Sequence, residues 1–188
     1  MLGWSRLDYV YSIGRLSRVL KPVSAEQDAD AAVALLLKQA NENVEIFFVK
    51  RVENPVDPWS GQMAFPGGKR SPGDQNLMQT VVRETLEETS IHLLDWCRFV
   101  GVMTALTSTR RPEMKVLPFV FLLRHEPSIK LNKEELERYV WISVKELFQN
   151  EGIAKFDFGE FPAYIIGDSI IWGLTYRILK DFERLITM

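Results

Sequence analysis

Three acidic residues fall within one turn of a predicted helix, at Glu84, Glu87 and Glu88. Residues three and four positions apart share one face of a helix, so these carboxylates lie close together and repel one another. A hard divalent cation would offset the repulsion, and Mg²⁺ and Mn²⁺ both prefer oxygen ligands. A solvated acidic helix face is the alternative, and for the acidic cluster taken alone it is the favoured interpretation.

A glycine-rich loop ahead of the helix shifts the balance towards a metal site. Gly67 and Gly68 follow Phe65-Pro66, and glycine lets a backbone approach other groups closely. Backbone carbonyls of this loop could complete the coordination shell of a cation. Arg83 can reach Glu87 four residues further on and hold it ionised, although a surface ion pair of this kind contributes under about 1 kcal/mol.

Residues 68–91 resemble the Nudix box, G-x5-E-x7-R-E-U-x-E-E-x-G-U, in which U is aliphatic. Arg83-Glu84-x-Leu86-Glu87-Glu88 carries the core of this likeness. The chain departs from the box in two places: Gly68 to Arg83 is one residue longer, and Ser90 stands where the box has glycine. A left-handed serine at the helix end would cost on the order of 1 kcal/mol, unless the helix ends differently.

The extra residue resembles the coenzyme A pyrophosphatase branch of the family, where F-P-G-G is followed six residues later by an aspartate, here Asp74. Three further segments resemble that branch: 132–136, 161–164 and 171–175. Upstream, residues 51–62 lack the second arginine and the histidine of the branch's motif. The resemblance favours a coenzyme A-like substrate, with ADP-ribose, a dinucleotide or a nucleoside triphosphate as alternatives.

The resemblance implies hydrolysis of the pyrophosphate bond of a nucleoside diphosphate derivative with Mg²⁺ or Mn²⁺ as cofactor. Phosphoryl transfer needs mainly positioning and charge stabilisation from a protein. Glu84 and Glu88 are then the first choice for metal ligands, Glu87 shares an ion or a water, and the Gly67 carbonyl is a further ligand. Arg83 orients a carboxylate and is counted with Glu87 and Glu88 among the catalytic residues.

A general base in this family often comes from a distant loop, and the resemblance makes Glu135 the candidate, with Glu134 next. The alternative is that both are first-turn acids of a short helix, where the helix dipole favours them. Four basic residues are candidates for phosphate contacts: Arg51, Lys69, Arg110 and Arg111. Trp59 is a candidate for stacking on a base. Phe65, which also flanks the loop, and Trp172 are expected in the core.

The elements that must position these residues indicate an α/β (α+β) fold. We expect a Nudix-type α/β/α sandwich with a mixed sheet, because strands alternate irregularly with helices and two strands form a hairpin. The predicted strands are 31–37, 44–49, 99–106, 116–123, 139–142 and 163–166. The predicted helices are 6–20, 75–89 with Asp74 as N-cap, 144–148 with Ser143 as N-cap, and one from 169 to about 187.

Length and charge limit the function classes. The 188 residues suggest one domain with an N-terminal helical extension over about 1–22. A net charge of −2 argues against broad nucleic-acid binding, and no apolar run reaches the ~18 residues of a membrane span. A single cysteine, expected to be buried, and no signal-peptide core predict a cytoplasmic enzyme with a small nucleotide substrate.

The resemblance leaves a homodimer possible, since many family members are dimers. A Nudix-like binding module that has lost catalysis is the alternative from another functional class. Such a module should lack at least one of Glu84, Glu87 and Glu88, and all three are present.

Overall fold

The computed structural model describes residues 14, 16–22, 28–40, 43–54, 60–108 and 111–187. Eleven strands and four helices have named bounds in these ranges. The strands are β1 (Ala31–Ala40), β2 (Asn43–Arg51), β3 (Met63–Ala64), β4 (Gly67–Lys69), β5 (Cys97–Val102), β6 (Leu106–Thr107), β7 (Lys115–Leu123), β8 (Leu136–Ser143), β9 (Glu151–Phe156), β10 (Gly159–Ile166) and β11 (Ser169–Trp172). The helices are α1 (Leu77–Thr89), α2 (Leu93–Trp96), α3 (Val144–Gln149) and α4 (Gly173–Thr187).

A mixed sheet forms the centre of the fold. Its main path runs β3-β2-β1-β7-β5, while β4 pairs with β1, β6 with β7 and β8 with β2. The predicted hairpin is confirmed as β1 and β2, which pair antiparallel with Leu37 opposite Ile46. β1 also runs parallel to β7, with Ala32 beside Leu117. Both neighbours of β1 are therefore strands, and this places β1 in the middle of the sheet.

The sheet is covered on both faces, which confirms the sandwich predicted from the sequence. Alternate residues of β1 enter different core clusters: Leu35 and Leu37 join one, Ala34 and Leu36 the other. The first cluster includes buried residues of α3 and α4, and the second includes buried residues of α1. A strand buried on both faces has a continuous apolar sequence, and this explains the uninterrupted run at 31–37.

A second sheet of three strands, in the order β11-β10-β9, was not predicted in full. The sequence indicated only part of β10, and the helix expected from 169 begins four residues later, at Gly173. Residues 169–172 instead pair antiparallel with β10, with Ile170 opposite Ile165. Gly173 has a φ of 63°, which turns the chain from this strand into α4. Trp172, expected in the core, lies half-buried against Phe156 and Phe161.

Of the two N-caps predicted from the sequence, one is confirmed and one is wrong. The N-cap of α1 is Asn76, whose side chain accepts a hydrogen bond from Gln79 N at 3.0 Å, so the prediction of Asp74 was wrong. The prediction of Ser143 for α3 is confirmed, because its hydroxyl accepts from Glu146 N at 3.0 Å.

Ser90 is the C-terminal cap of α1. Its φ is 60°, the left-handed conformation, and its N–H bonds to the Leu86 carbonyl at 2.9 Å. Its hydroxyl donates to the Lys130 carbonyl at 3.2 Å. Thr85, directly after Glu84, is buried, while Leu86 is 37% exposed.

The described part of the N-terminal segment is short. Residues 16–19 are helical and Leu16 is buried, as expected; residues 1–13 and 15 of the expected extension lie outside the described residues. Cys97 is buried as predicted. Among the helices in the described ranges, none combines the length and apolar character that crossing a membrane requires.

Candidate active site

A cavity of about 290 Å³ opens where β1, β4, α1 and α4 meet. Its described lining combines acidic, basic and apolar side chains with the glycine loop. The lining residues are Ala31, Val33, Arg51, Gln62, Ala64, Phe65, Gly67, Gly68, Lys69, Glu84, Glu88, Met114, Val116, Glu135, Leu174, Thr175 and Ile178. Most of the acids and loop glycines singled out in the sequence therefore meet in one place.

Both loop glycines are required by close approach. At Gly67, where φ is 143°, a Cβ would lie 2.2 Å from the Ala32 carbonyl oxygen, because β4 is pressed against β1. At Gly68, a Cβ would lie 2.6 Å from the Glu84 carboxyl carbon. The Gly67 N–H donates to Glu88 Oε2 at 2.9 Å. The loop backbone is thus in direct contact with two of the acids.

Glu88 is the most deeply buried acid of the cavity, with 3% exposure. Burial raises the pKa of Glu88 to about 8, while the Gly67 N–H and the Arg51 guanidinium favour its charged form. The Arg51 Nη1 lies 3.8 Å from Glu88 Oε1. The nearby charges of Glu84 and Glu135 raise the pKa of Glu88 further. Burial also raises the pKa of Glu84, so without a cation both carboxyls are shifted towards the neutral form, and a bound cation would favour their ionisation.

The Arg83 guanidinium binds Asp74 through Nε and Nη2 and contacts Glu84 and Glu87 through Nη1. Its Nε and Nη2 donate to Asp74 Oδ1 and Oδ2 at 3.0 and 2.9 Å, and its Nη1 lies 2.8 Å from Glu84 Oε1. The predicted contact with Glu87 is present at 3.1 Å. Asp74 also accepts from Ser71 N and from the Thr80 hydroxyl, at 2.9 and 3.0 Å.

These contacts explain what Asp74 does instead of capping the helix. The Arg83 guanidinium holds the pKa of Asp74 well below its usual range, and Asp74 in turn raises that of Arg83. Both groups therefore stay charged and fix the orientation of the guanidinium towards Glu84. The sequence signal for this pair was the position of Asp74 near the first acid of the Nudix box.

The three acids of the helical turn do not all face the cavity. The Glu87 side chain is 57% exposed, pairs with Arg83 and is absent from the described lining. Within the ranges that the structure describes, no three His, Cys, Asp or Glu side chains are already arranged as a ligand set. The donor chemistry still fits a hard cation, because the carboxyl oxygens of Glu84 and Glu88 approach the glycine backbone in one cavity.

Glu135 lines the cavity from a turn that precedes β8. Asn132 Nδ2 donates to its Oε1 at 2.9 Å, and Val52 N donates to its backbone carbonyl at 2.9 Å. Glu134 lies outside the described lining. The interpretation of both acids as the first turn of a short helix is wrong, since a strand follows them.

The predicted phosphate contacts divide between two cavities. Arg51 and Lys69 line the acidic cavity. Arg111 lines a neighbouring cavity of about 680 Å³, which shares Lys69 and Met114 with the first. Arg110 and Trp59 lie outside the described residues. Phe65 is in the core as expected, 4% exposed and stacked on Phe48 with ring centroids 5.2 Å apart.

Sequence reasoning missed the apolar part of the lining, to which β1, β7 and α4 contribute. In the sequence of the last helix, Leu174 and Ile178 fall on one apolar stripe, and such a stripe by itself indicates only packing against a core. That stripe was the available signal. Its outer end borders the cavity, and Leu174, Thr175 and Ile178 form that border.

Comparison with known proteins supports the family likeness. The family model for the Nudix domain matches residues 28–164. An uncharacterised protein of Schizosaccharomyces pombe is 35% identical over 111 residues, 56% of this chain and 34% of that protein. The peroxisomal coenzyme A diphosphatase ndx-8 of Caenorhabditis elegans is 28% identical over 84% of this chain and 66% of its own length. The chain thus spans one third to two thirds of the length of these two relatives.

A human relative and a solved structure extend the comparison. The human mitochondrial coenzyme A diphosphatase NUDT8 is 28% identical over 89% of this chain and 75% of that protein. A MutT/nudix family protein from Enterococcus faecalis matches in fold with a TM-score of 0.55 at 16% identity, over 97% of this chain and 73% of that one. Two of these relatives are named coenzyme A diphosphatases, which agrees with the likeness of the sequence to that branch. With the family model matching well over half of its residues, this chain belongs to the Nudix family.

Proposed function

We propose that this protein hydrolyses the pyrophosphate bond of a nucleoside diphosphate derivative, using Mg²⁺ or Mn²⁺. The observation that carries the proposal is the meeting of Glu84, Glu88 and Glu135 in one cavity beside Gly67 and Gly68. Three carboxylates in a partly buried cavity repel one another, and a divalent cation with a bound diphosphate would balance their charge.

Glu84 and Glu88 are the proposed metal ligands, with the Gly67 carbonyl as a third. Bound there, a divalent cation would neutralise phosphate charge and lower the pKa of a coordinated water. Arg83 keeps the Glu84 carboxylate oriented at 2.8 Å. Glu87 lies on the rim beside Arg83, and a role through a shared water suits that position better than direct ligation.

Glu135 is the proposed general base, because it borders the cavity from the turn before β8, while the other lining acids lie on α1. Its hydrogen bond from Asn132 fixes one carboxylate oxygen. Arg51 and Lys69 are placed to contact the diphosphate, and Arg111 to contact a more distant part of the substrate. Arg110 and Trp59 remain proposed substrate contacts on the sequence resemblance alone.

Coenzyme A is the favoured substrate. Two relatives are named coenzyme A diphosphatases, and the sequence likeness to that branch extends to the residues around β10 and β11. ADP-ribose, dinucleotides and nucleoside triphosphates are the alternatives. A non-catalytic Nudix module is disfavoured, since Glu84, Glu87 and Glu88 are all present.

The test is a panel of coenzyme A, ADP-ribose, NADH, diadenosine polyphosphates and deoxynucleotides, each assayed with Mg²⁺, with Mn²⁺ and with a chelator. We expect metal-dependent conversion of coenzyme A to 3′,5′-ADP and phosphopantetheine. Cleavage of a different compound would change the substrate, while no cleavage of any compound with either metal would overturn the proposed function.

Glu135→Gln, with Glu134→Gln as its matched control, tests the general base. Loss of a general base costs about 10²- to 10⁴-fold in rate. We expect that loss in kcat for Glu135→Gln and a near wild-type rate for Glu134→Gln, because only Glu135 is among the described lining residues. Equal rates for the two variants would assign the base elsewhere.

A small nucleotide is the partner that this site supports. The absence of nucleic-acid binding remains a prediction, and the homodimer remains the option that the family resemblance leaves open. The predicted cytoplasmic location also remains a prediction, and two relatives are named peroxisomal and mitochondrial. Fractionation of cells that express the full-length protein would determine the compartment.

A further inference from the structure

A small hydrophobic cluster borders the acidic cavity and shares two partly buried neighbours, Val33 and Leu174, with one of the two larger clusters. Its buried members are Ala31, Met114 and Val116, and Val33 and Leu174 pack against it. All five residues line the acidic cavity. We call these five residues the apolar wall. Most of the core residues stabilise the sandwich away from the cavity, whereas every member of this cluster borders it.

The chemistry of the apolar wall restricts what can bind there. The wall is aliphatic, with one flexible thioether, and it contains no aromatic ring. The aromatic side chain among the described lining residues is Phe65, which is 4% exposed and stacked on Phe48. A purine base is usually bound by stacking on an exposed ring, so the wall suits an aliphatic chain better than a base.

A sugar also fits the wall poorly. Each hydroxyl that leaves water without a hydrogen-bond partner costs free energy, and the neutral polar side chains in the described lining are Gln62 and Thr175. These two side chains could serve a chain with a few amide groups. They offer few partners for the several hydroxyls of a ribose.

We propose that the apolar wall binds the non-nucleotide arm of the substrate, a flexible chain of aliphatic and amide groups such as the pantetheine arm of coenzyme A. The wall thereby selects that arm over a sugar. Leu174 and Met114 are the specificity-determining residues, and Thr175 is the hydrogen-bonding residue beside them. This inference rests on the proposed function, because it assumes that the diphosphate lies at the acids.

The test compares two substrates that share the ADP half and differ only in the other arm: dephospho-coenzyme A and ADP-ribose. We expect the wild-type protein to prefer dephospho-coenzyme A in kcat/KM. Leu174→Ala should lower kcat/KM for dephospho-coenzyme A by about 10-fold or more, the usual effect of lost apolar contacts in a pocket, and leave ADP-ribose almost unchanged. Alanine is compatible with the helix at this position.

Leu185→Ala is the matched control, since Leu185 lies on the same helix, packs against the main core and does not line the cavity. It should leave the ratio of the two kcat/KM values unchanged. Thr175→Val keeps the shape of the side chain, provides a second variant with little risk to folding, and should lower the same ratio. An unchanged ratio in both Leu174→Ala and Thr175→Val, or a wild-type preference for ADP-ribose, would overturn the inference.

Calorimetry separates this inference from the proposed function. Phosphopantetheine, the arm with one phosphate, should bind the wild-type protein and bind Leu174→Ala more weakly. Binding of phosphopantetheine without turnover of any substrate would support the apolar wall and refute the hydrolase. If the wild-type protein hydrolyses both dephospho-coenzyme A and ADP-ribose, and Leu174→Ala lowers kcat/KM equally for the two, the hydrolase is supported and the apolar wall is refuted.

Discussion

Glu88 illustrates a cost that a binding site imposes on its own protein. The carboxylate is buried at 3% exposure, and Glu84 and Glu135 add like charges nearby. One backbone N–H and the Arg51 guanidinium at 3.8 Å are the groups that favour its ionised form. Buried charge of this kind destabilises a fold unless something compensates it, and the proposed cation would do so.

Replacing Glu88 by glutamine should therefore have opposite effects on stability and activity. Without metal and near pH 7, Glu88→Gln should raise the melting temperature, because it removes a carboxyl whose pKa burial raises far above its unfolded value. With Mn²⁺, the wild-type protein should gain stability through binding, and the variant should gain little. We expect kcat to fall by at least about 100-fold, since even groups behind metal ligands contribute 10- to 100-fold.

Thermal melts with and without Mn²⁺ and steady-state rates at saturating metal would measure these effects. Glu134→Gln is the control for removing one acid near the site. Normal turnover of Glu88→Gln at saturating metal would show that Glu88 has a different role.

Asp74 should stabilise the protein over a defined pH range. Its pKa is depressed, chiefly by the hydrogen bonds from Arg83. A carboxyl with a depressed pKa stabilises the fold above its unfolded pKa, about 3.9, and loses this effect as the pH falls through the folded pKa. Asp74→Asn should lower stability equally at pH 7 and pH 5, and the difference from wild type should shrink below about pH 4.

Denaturant unfolding at pH 7, 5 and 3 would measure the contribution of Asp74. Asn76→Ala, which removes the N-cap of α1 without touching Arg83, serves as a control whose effect should be independent of pH over this range. A constant deficit of Asp74→Asn down to pH 3 would contradict the proposed ionised pair with Arg83.

The sequence predicted which acids form the site better than it predicted where each side chain points. Residue spacing placed Glu84, Glu87 and Glu88 on one turn, but a turn of helix covers a wide arc. Arg83 contacts Glu87 at the rim while Glu88 turns inward to the Gly67 N–H, and neither contact follows from spacing alone. The role of Asp74 was missed because a residue just before a helix also suits an N-cap.

At the scale of elements, local signals located the strands and helices of the central sandwich but not all of the second sheet. The β1–β2 hairpin and the end of α1 depend on neighbouring residues. β11 depends on pairing with β10 across a turn, and its Ile170, Ile171 and Trp172 suit a helix stripe as well as a strand. Because β11 has only four residues and α4 follows it directly, the sequence of β11 resembles the first turn of that helix.

The C-terminal end of α1 offers a test of a cost stored in an element. Ser90 holds a φ of 60°, which costs a residue with a Cβ about 1 kcal/mol relative to glycine. Ser90→Gly should raise the free energy of unfolding by somewhat less, because the hydrogen bond to the Lys130 carbonyl is lost. Ser90→Ala keeps the strain and loses the same bond, so it should destabilise. Chemical denaturation of the three proteins would rank them, and Ser90→Gly less stable than Ser90→Ala would contradict this account.

For the whole molecule, the site is completed by a part of the chain that the family match does not include. The matched region ends at residue 164, yet Leu174, Thr175 and Ile178 of α4 line the cavity. The helix is anchored by its buried residues Leu179 and Phe182. Arg177 connects the helix to β6, because its Nη1 donates to the Thr107 carbonyl at 2.8 Å.

Arg177→Ala should loosen the fit of α4 without changing the acids. A net loss of about 1 kcal/mol, typical of one hydrogen bond, corresponds to about a 5-fold drop in kcat/KM, and we expect it mainly through KM. The Mn²⁺ concentration for half-maximal activity should not move, because Arg177 does not line the acidic cavity. Arg184→Ala is the matched control on the same helix, where the side chain is 72% exposed and pairs with Asp181. A shift in the Mn²⁺ dependence, or an equal loss in both variants, would show that α4 acts through general stability and not by positioning the cavity wall.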